Sequence, residues 1–250
     1  MSGHSKWANI KHKKAKTDAK NGKIFTKLVR EIMVAAKMGG SDPTGNPRLR
    51  LALDNARAEN LPADNIDRAI KKGAGELQNV NYEEGTYEGY GAGGAALLVN
   101  FMTDNKNRTA SEVRHAFTSF GGSFGQSGSV SYMFEKKGRF AFDMSAVTED
   151  SLMEAALEAG ADDVVTNKDE NIFEVFCEPT GFHKVKVALD AAGLKYGRAE
   201  ITMIPKNTVK VEGKSAQQLI RLIEELEDLD DVQSVHSNFE MSDEDMASLA

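Results

Sequence analysis

The alternation of apolar and polar positions near the start of the chain predicts an amphipathic helix over residues 16–36. Its basic positions are spaced four, three, four and three residues apart, which places them within an arc of about 100° on a helical wheel. They are Lys16, Lys20, Lys23, Lys27 and Arg30. The opposite side carries Ile24, Phe25, Leu28, Val29, Ile32 and Ala36. The pattern therefore predicts one face for a core and one for a charged partner.

Two shorter helices are predicted after a loop rich in Gly and Pro at residues 38–47. The first spans residues 47–60 with Pro47 near its first turn, and the second spans residues 62–75. Because Gly22 weakens the start of the first helix, the residues before it are expected to form a mobile arm. Residues 1–76 are therefore predicted to form a basic helical domain with a mobile N-terminal arm.

A regular alternation of strand and helix periods follows in the second half of the chain. Strands are predicted at 138–143, 162–167, 172–179 and 198–205, and helices at 148–161 and 181–193. The order β-α-β-β-α-β is that of a ferredoxin-like unit, complete within one continuous stretch. We expect residues 137–205 to form this unit as an inserted domain.

The segments on either side of the inserted unit contain the parts of a second α+β domain. Strands are predicted at 95–101, 129–134, 208–212 and 232–240, and helices at 109–120 and 215–229. Thr109 and Glu112 have the spacing of a capping box at the start of the first of these helices. This discontinuous domain would comprise residues 80–136 and 206–240, and an acidic, frayed tail would follow at 241–250. The predicted fold class is α+β: an N-terminal three-helix domain followed by two ferredoxin-like α+β domains, one inserted into the other.

Charge is distributed unevenly along the chain. The whole protein has a net charge of −7, but residues 1–72 carry a balance of +9 and the remainder carries −16. Such asymmetry indicates a basic module directed at a polyanion and joined to acidic domains. A solvated basic helix without a partner is the alternative.

The basic arm and the basic helix face are the candidate nucleic-acid site. Lysine ammonium groups bind phosphate as point charges, and Trp7 beside Lys6 would stack on an unpaired base or a sugar edge. Alternatively, Trp7 is a hydrophobic anchor that packs the arm onto the helical bundle. The candidate residues are Lys6, Trp7, Lys11, Lys13, Lys14, Lys16, Lys20, Lys23, Lys27 and Arg30.

A second basic group lies around the predicted helix 109–120. Lys106, Arg108, Arg114 and His115 form a candidate second contact, with solvated helix ends as the alternative.

Other chemistries find little support in the residue spacing. Gly89, Gly91 and Gly94 precede a strand rather than follow one, so they indicate a turn and not a dinucleotide site. Cys177 lies on an apolar strand and is expected to be a buried structural thiol rather than a nucleophile paired with His183. We expect no catalytic residues, no metal site and no cofactor.

Four stretches resemble the YebC/PmpR family, which includes the mitochondrial translational activator of cytochrome c oxidase. They are "GHSKWANIKHKKAKTDAKNGKIFTKLVREI", "NPRLRLALDNARAENLPADNIDRAIKKG", "YEGYGAGGAALLV" and "TDNKNRTASEVRHAFTSFGGSFGQSGSVSYMF". Asn21 is one departure, since a basic residue is expected before Gly22. The resemblance implies a three-domain cytoplasmic protein with a role in gene expression. Bacterial relatives are described as DNA-binding transcriptional regulators, the mitochondrial relative acts in translation, and no catalytic residue set is known.

The sequence therefore predicts a non-enzymatic, nucleic-acid-binding regulator, a DNA-binding transcriptional regulatory protein of YebC type. The alternatives are a translation factor bound to ribosomal RNA and the ribosome, a protein–protein adaptor, or an enzyme. Lysine-rich backbone contacts suit ribosomal RNA at least as well as duplex DNA. The single cysteine and the absence of an apolar run of about 20 residues favour a cytoplasmic protein with no membrane partner. The oligomeric state is left open.

Overall fold

The computed structural model describes Trp7 and residues 18–76, 82–168, 170–242 and 244–246, with side chains in the first helix from Gly22 onward. The first helices form a helical unit: α1 (Asp18–Gly39), α2 (Pro47–Ala58) and α3 (Ala63–Lys71), followed by a π-helical turn at Lys72–Glu76. Its core includes Ile32, Leu49, Leu53 and Ile66. The three predicted helices are therefore present.

Asn46 fixes the turn between α1 and α2. Its side-chain oxygen accepts a hydrogen bond from Leu49 N at 3.0 Å, which caps α2, while its amide nitrogen donates to Ala35 O at 2.8 Å. Pro47 occupies the first turn, where a missing backbone N–H costs little. One buried amide thus joins two helices.

The first sheet contains β1 (Glu83–Tyr90), β2 (Ala96–Thr103), β3 (Ser123–Phe124) and β9 (Val232–Ser237) in the order β3-β1-β2-β9. The helices α4 (Lys106–Ser119) and α7 (Gly213–Asp228) contribute Phe117, Leu219 and Ile223 to the core that covers one face of this sheet. β8 (Val209–Lys210) and β10 (Phe239–Glu240) form a separate parallel pair.

The first sheet differs from the sequence-based prediction in three segments. β1 was not predicted, yet it pairs with β2 along its whole length, from Glu83 opposite Thr103 to Tyr90 opposite Ala96. The segment expected as strand 208–212 lies in the small β8–β10 pair instead of the sheet. Segment 129–134 contains a 3₁₀ turn at Ser131–Met133 rather than a strand, because backbone amides there bond to Glu88.

The start of α4 corrects the predicted capping box. α4 begins at Lys106, and Asn105 is its N-cap, accepting a hydrogen bond from Arg108 N at 3.1 Å. Thr109 is buried one turn inside the helix, where its hydroxyl donates to Asp231 Oδ2 at 2.8 Å and its oxygen lies 3.1 Å from Asn105 O.

The second sheet has the predicted ferredoxin-like order. β4 (Phe134–Asp143), α5 (Glu149–Ala159), β5 (Asp163–Asn167), β6 (Ile172–Cys177), α6 (Phe182–Ala191) and β7 (Arg198–Pro205) follow one another, and the strands lie in the order β5-β6-β4-β7. Phe140, Phe142 and Val175 pack against Leu152 and Leu189 of the two helices. β4 is continuous across residues 136 and 137, between which the inserted unit was expected to begin.

The helical unit contacts the first sheet and a helix that covers the second sheet. Arg48 bonds to Glu31 at 2.8 Å within the unit and to Glu84 of β1 at 2.5 Å. Asp54 of α2 lies 3.7 Å from Lys186 of α6. Arg48 of the helical unit is therefore paired inside the fold.

The end of the chain is more ordered than a frayed tail up to Met246. Met241 and Met246 are buried in the core of the first sheet, and Met246 N donates to Ser242 O at 3.0 Å. The last four residues of the predicted tail lie outside the described part. Among the described helices, none combines the length and apolar character that crossing a bilayer requires.

Candidate nucleic-acid interface

The basic face of α1 is only partly within the described structure. Lys6, Lys11, Lys13, Lys14 and Lys16 lie outside the described residues, and the side chain of Lys20 does so as well. Lys23, Lys27 and Arg30 are described, and they retain the spacing of one helix face. The contacts of these three side chains show whether the face is open to solvent or occupied within the protein.

These three cations bind the end of α7 and the loop that follows it. Lys23 Nζ donates to Asp228 O at 3.1 Å and lies 3.3 Å from Asp228 Oδ2, and Lys27 Nζ donates to Glu227 O at 2.6 Å. Arg30 Nη1 donates to Asp230 O at 2.9 Å and to Asp231 Oδ1 at 3.1 Å. We call this set of contacts the clasp.

Helix physics explains why the clasp forms. The last carbonyl groups of a helix lack partners within the helix, and the helix dipole places partial negative charge at that end. Lys23 and Lys27 supply donors and positive charge to the carboxyl end of α7, and Arg30 supplies them to the loop that follows it. In this structure, the described cations of the basic face therefore have partners within the protein. Their role as phosphate contacts stays a prediction that requires the clasp to open.

Asp231 is the buried centre of the clasp. Its Oδ2 accepts from Arg108 Nη2 at 2.6 Å, Thr109 Oγ1 at 2.8 Å and Thr103 Oγ1 at 2.9 Å, while Oδ1 accepts from Arg30. Burial alone would raise the pKa of Asp231, but these donors outweigh burial, so the pKa lies below its usual value. Asp231 is therefore an anion at neutral pH that joins α1, β2 and α4.

The structure places Trp7 in a hydrophobic core. Its side chain is 4% exposed and belongs to the cluster that covers the first sheet. A ring buried in this way is not available to stack on a base, so the position corresponds to the anchoring alternative. The anchor site differs from the expected one, because Trp7 packs with the first sheet and not with the helical bundle.

The second basic group divides between two sides of α4. Lys106 and Arg114 line an open groove beside β1, together with Tyr87 and Phe124. Arg108 is instead engaged by Asp231 at 2.6 Å and Asp104 at 2.9 Å. His115 is exposed, with its Nε2 3.4 Å from Ser119 Oγ.

Thiol chemistry is disfavoured by the surroundings of Cys177. The side chain is fully buried, and burial, followed by the nearby carboxylates of Asp162 and Glu178, raises the pKa of its thiol to about 11. His183 lies on α6 and is exposed. Among the residues that the structure describes, no group of three His, Cys, Asp or Glu side chains is placed to hold a metal ion.

Sequence reasoning missed three residues that organise this region. Asp231 sits in an acidic run that resembles a solvated surface, while Tyr87 and Phe124 lie in glycine-rich stretches without strand periodicity. Their positions depend on partners far away in the sequence, such as Arg30, which is 201 residues from Asp231. No local signal marks them.

Family models cover nearly the whole chain. Residues 5–76 match the TACO1/YebC protein N-terminal domain, and residues 82–239 match the TACO1/YebC second and third domain. The chain belongs to the TACO1/YebC family.

Similar proteins from several bacteria extend this assignment. A probable transcriptional regulatory protein of Geobacter sp. (strain M21) is 57% identical over 249 residues and covers 100% of both chains. One of Acidithiobacillus ferrooxidans (strain ATCC 53993 / BNL-5-31) is 58% identical, covering 100% of this chain and 98% of its own. Among solved structures, a conserved hypothetical protein from Aquifex aeolicus matches with a TM-score of 0.82 and 47% identity, covering 92% of this chain and 94% of its own. The TACO1/YebC architecture is thus shared along the chain.

Proposed function

We propose that this TACO1/YebC protein is a non-enzymatic, nucleic-acid-binding regulator of gene expression that acts in the cytoplasm. The names of its relatives, probable transcriptional regulatory proteins, support the regulatory role. The observation that carries nucleic-acid binding is the placement of the lysine-rich stretch. Residues 6–20 contain six lysines and one aspartate, and this stretch begins beside buried Trp7 and ends in α1.

In the sequence, the lysine-rich stretch lies between two points that the structure describes. Trp7 is held in the core of the first sheet, and α1 is held on α7 by the clasp. The proposal assigns phosphate binding to the lysines that the sequence places between these two points. Phosphate contacts by lysines release counterions and favour any nucleic acid without reading its sequence.

The clasp shifts the expected contact surface towards the lysine-rich stretch. Since Lys23, Lys27 and Arg30 already bind carbonyl and carboxylate oxygens, the main phosphate contacts in this proposal are Lys11, Lys13, Lys14 and Lys16. Lys6 and Lys20 would extend the same surface.

A charge-matched pair of variants tests this proposal. One variant changes Lys11, Lys13, Lys14 and Lys16 to Gln, and the control changes the exposed residues Lys184, Lys195, Lys206 and Lys214 to Gln. The first should weaken binding of duplex DNA and of a ribosomal RNA fragment, and reduce the slope of log affinity against log salt by about 3. Fluorescence anisotropy across a salt series measures both quantities. Equal losses in the two variants would contradict a specific lysine surface.

A translation factor bound to ribosomal RNA is the second candidate. The groove beside β1, with half-buried aromatic rings and exposed cations, favours unpaired bases and hence RNA over duplex DNA. Offering the protein ribosomes and excess duplex DNA together, at physiological salt, separates the two. Retention on ribosomes would indicate translation, whereas transfer to the duplex would indicate transcription.

A further inference from the structure

An open groove beside the first sheet is separate from both the clasp and the lysine-rich stretch. It lies between the exposed side of α4 and the edge of β1, and its volume is about 400 Å³. Tyr87, Phe101 and Phe124 contribute aromatic rings, while Lys106 and Arg114 contribute cations. We call it the aromatic groove. Its volume is within the range of about 300–1,000 Å³ typical of sites for nucleotide-sized molecules.

The rings form a continuous aromatic surface. Tyr87 stacks on Phe101 with centroids 4.3 Å apart and an interplanar angle of 17°, and Phe124 lies 5.5 Å from Tyr87. Phe101 is buried, whereas Tyr87 and Phe124 are half-buried and so remain partly open to solvent. A Cβ at Gly85 would lie 2.8 Å from Phe101 Cζ, so glycine is needed for Phe101 to occupy its place against β1.

The open side arises from the shortness of β3. β3 pairs with β1 only at Gly89 and Tyr90, so among the described strands none borders the preceding part of β1 on that side. The loop that follows β3 is held by Glu88, whose carboxylate accepts from Gly128 N at 2.8 Å, Val130 N at 2.7 Å and Ser131 N at 2.9 Å. Glu88 is therefore occupied by backbone donors, although it lines the groove.

The cations of the groove are exposed and available. Lys106, Ala110 and Arg114 are spaced four residues apart, so they share one side of α4, and the small Ala110 separates the two cations. The Arg114 guanidinium lies 5.0 Å from the centroid of Phe124. Within the described residues, neither Lys106 nor Arg114 forms an ion pair, in contrast to Arg108 on the same helix.

We propose that the aromatic groove binds an unpaired nucleobase of a single-stranded nucleic acid, an inference that rests on the proposed nucleic-acid-binding function. The base stacks on the surface formed by Tyr87, Phe124 and the Arg114 guanidinium, and the adjoining phosphates bind Lys106 and Arg114. Aromatic rings and guanidinium planes are the usual platforms for splayed bases, and neighbouring cations follow the backbone. A base within a duplex is stacked between its neighbours and does not reach such a groove.

The test compares one oligonucleotide in single-stranded and duplex form. Phe124→Leu keeps an apolar side chain but removes the platform, and Arg114→Gln removes the guanidinium. Each should weaken binding of a ten-nucleotide single-stranded RNA about tenfold, while duplex affinity stays within about twofold. Lys195→Gln, which changes an exposed cation outside the groove, is the charge-matched control for Arg114→Gln and should leave both affinities unchanged. Thermal unfolding confirms that the variants are folded.

A spectroscopic readout reports stacking directly. Addition of the single-stranded RNA should shift the ring proton resonances of Tyr87 and Phe124 upfield, and the duplex should not. Unshifted rings, or groove variants that bind the single strand as the unchanged protein does, would overturn the groove assignment. A shift produced by an extended peptide but not by RNA would also overturn it, because the open edge of β1 would then be a peptide site.

The lysine variant distinguishes failure of this inference from failure of the proposed function. If changing Lys11, Lys13, Lys14 and Lys16 to Gln abolishes binding and the groove variants do not affect it, the groove inference is wrong and the proposed function stands. If the unchanged protein binds neither form at physiological salt, both are wrong. A loss confined to single strands in the groove variants supports both.

Discussion

Two buried carboxylates, Glu88 and Asp231, organise the chain around them, although each looks like an ordinary surface acid in the sequence. Glu88 binds three backbone amides of one loop, and Asp231 binds side chains from α1, β2 and α4. A buried carboxylate is stable only when donors surround it, and here the fold supplies them. Both residues therefore hold other parts of the chain in position.

The pH dependence of the Glu88 loop follows from the pKa of its carboxyl. Burial would raise this pKa, but bonds from Val130, Gly128 and Ser131 more than compensate, so the folded-state pKa is below the unfolded value of about 4.3. A depressed pKa gives stability that is present above the unfolded value and is lost as pH falls through the folded value. Amide exchange protection at these three residues should therefore decrease below about pH 4.

Substitution at Glu88 checks the same point at neutral pH. Glu88→Gln presents an amide N–H₂ to backbone donors and should reduce stability by about 1–3 kcal/mol, with lost protection at Gly128 and Val130. Exposed Glu154→Gln is the control and should change neither quantity. Normal protection in the Glu88 variant would show that the carboxylate does not hold the loop.

Residues such as Asp231 could not be found from the sequence. The run "EELEDLDD" predicts a solvated acidic surface, and only the approach of Arg30 and Arg108 from distant parts of the chain buries one of its members. Lysine and arginine positions, by contrast, could be identified in advance, because helical spacing alone sorts them onto a face. The basic face of α1 was therefore predictable from the sequence, whereas its partner at the end of α7 was not.

At the scale of elements, periodic segments were predictable and strands that depend on pairing were not. α1, α2 and the ferredoxin-like order around the second sheet follow from apolar periodicity. β1, with the sequence "EEGTYEGY", has glycines and acids that disfavour strands, and its pairing with β2 overrides them. Its Gly85 has a packing reason that appears only once Phe101 lies opposite.

The start of α4 provides a test of helix capping. Asn105 is the observed cap, so Asn105→Ala should lower the free energy of unfolding by about 1 kcal/mol. Glu112, which a capping box at Thr109 would require, is exposed within the helix, so Glu112→Ala should change it by less than about 0.5 kcal/mol. Urea unfolding measures both values. A larger loss of unfolding free energy for Glu112→Ala than for Asn105→Ala would instead support the capping box at Thr109.

At the scale of the whole molecule, the fold balances the positive charge of the basic face of α1, as the phosphates of a nucleic acid would. The carboxyl end of α7 and the acids after it present carbonyl and carboxylate oxygens to the basic face of α1, much as a phosphate backbone presents oxygens. The basic face of α1 therefore has an internal partner, in addition to the external one proposed above. Charge asymmetry along a sequence does not distinguish an internal partner from an external one.

Removing the clasp distinguishes an internal role from an external one. A variant with Lys23, Lys27 and Arg30 changed to Gln should lose about 2–4 kcal/mol of stability, mostly because Asp231 loses Arg30 in a buried site. It should also show faster amide exchange in α1 and a larger radius of gyration by small-angle X-ray scattering, because the helical unit separates from α7. The control changes the exposed residues Arg57, Lys71 and Lys72 to Gln, with the same loss of charge. If the clasp variant instead keeps its stability and radius and loses only nucleic-acid affinity, the basic face of α1 is a phosphate-binding surface and the clasp contributes little.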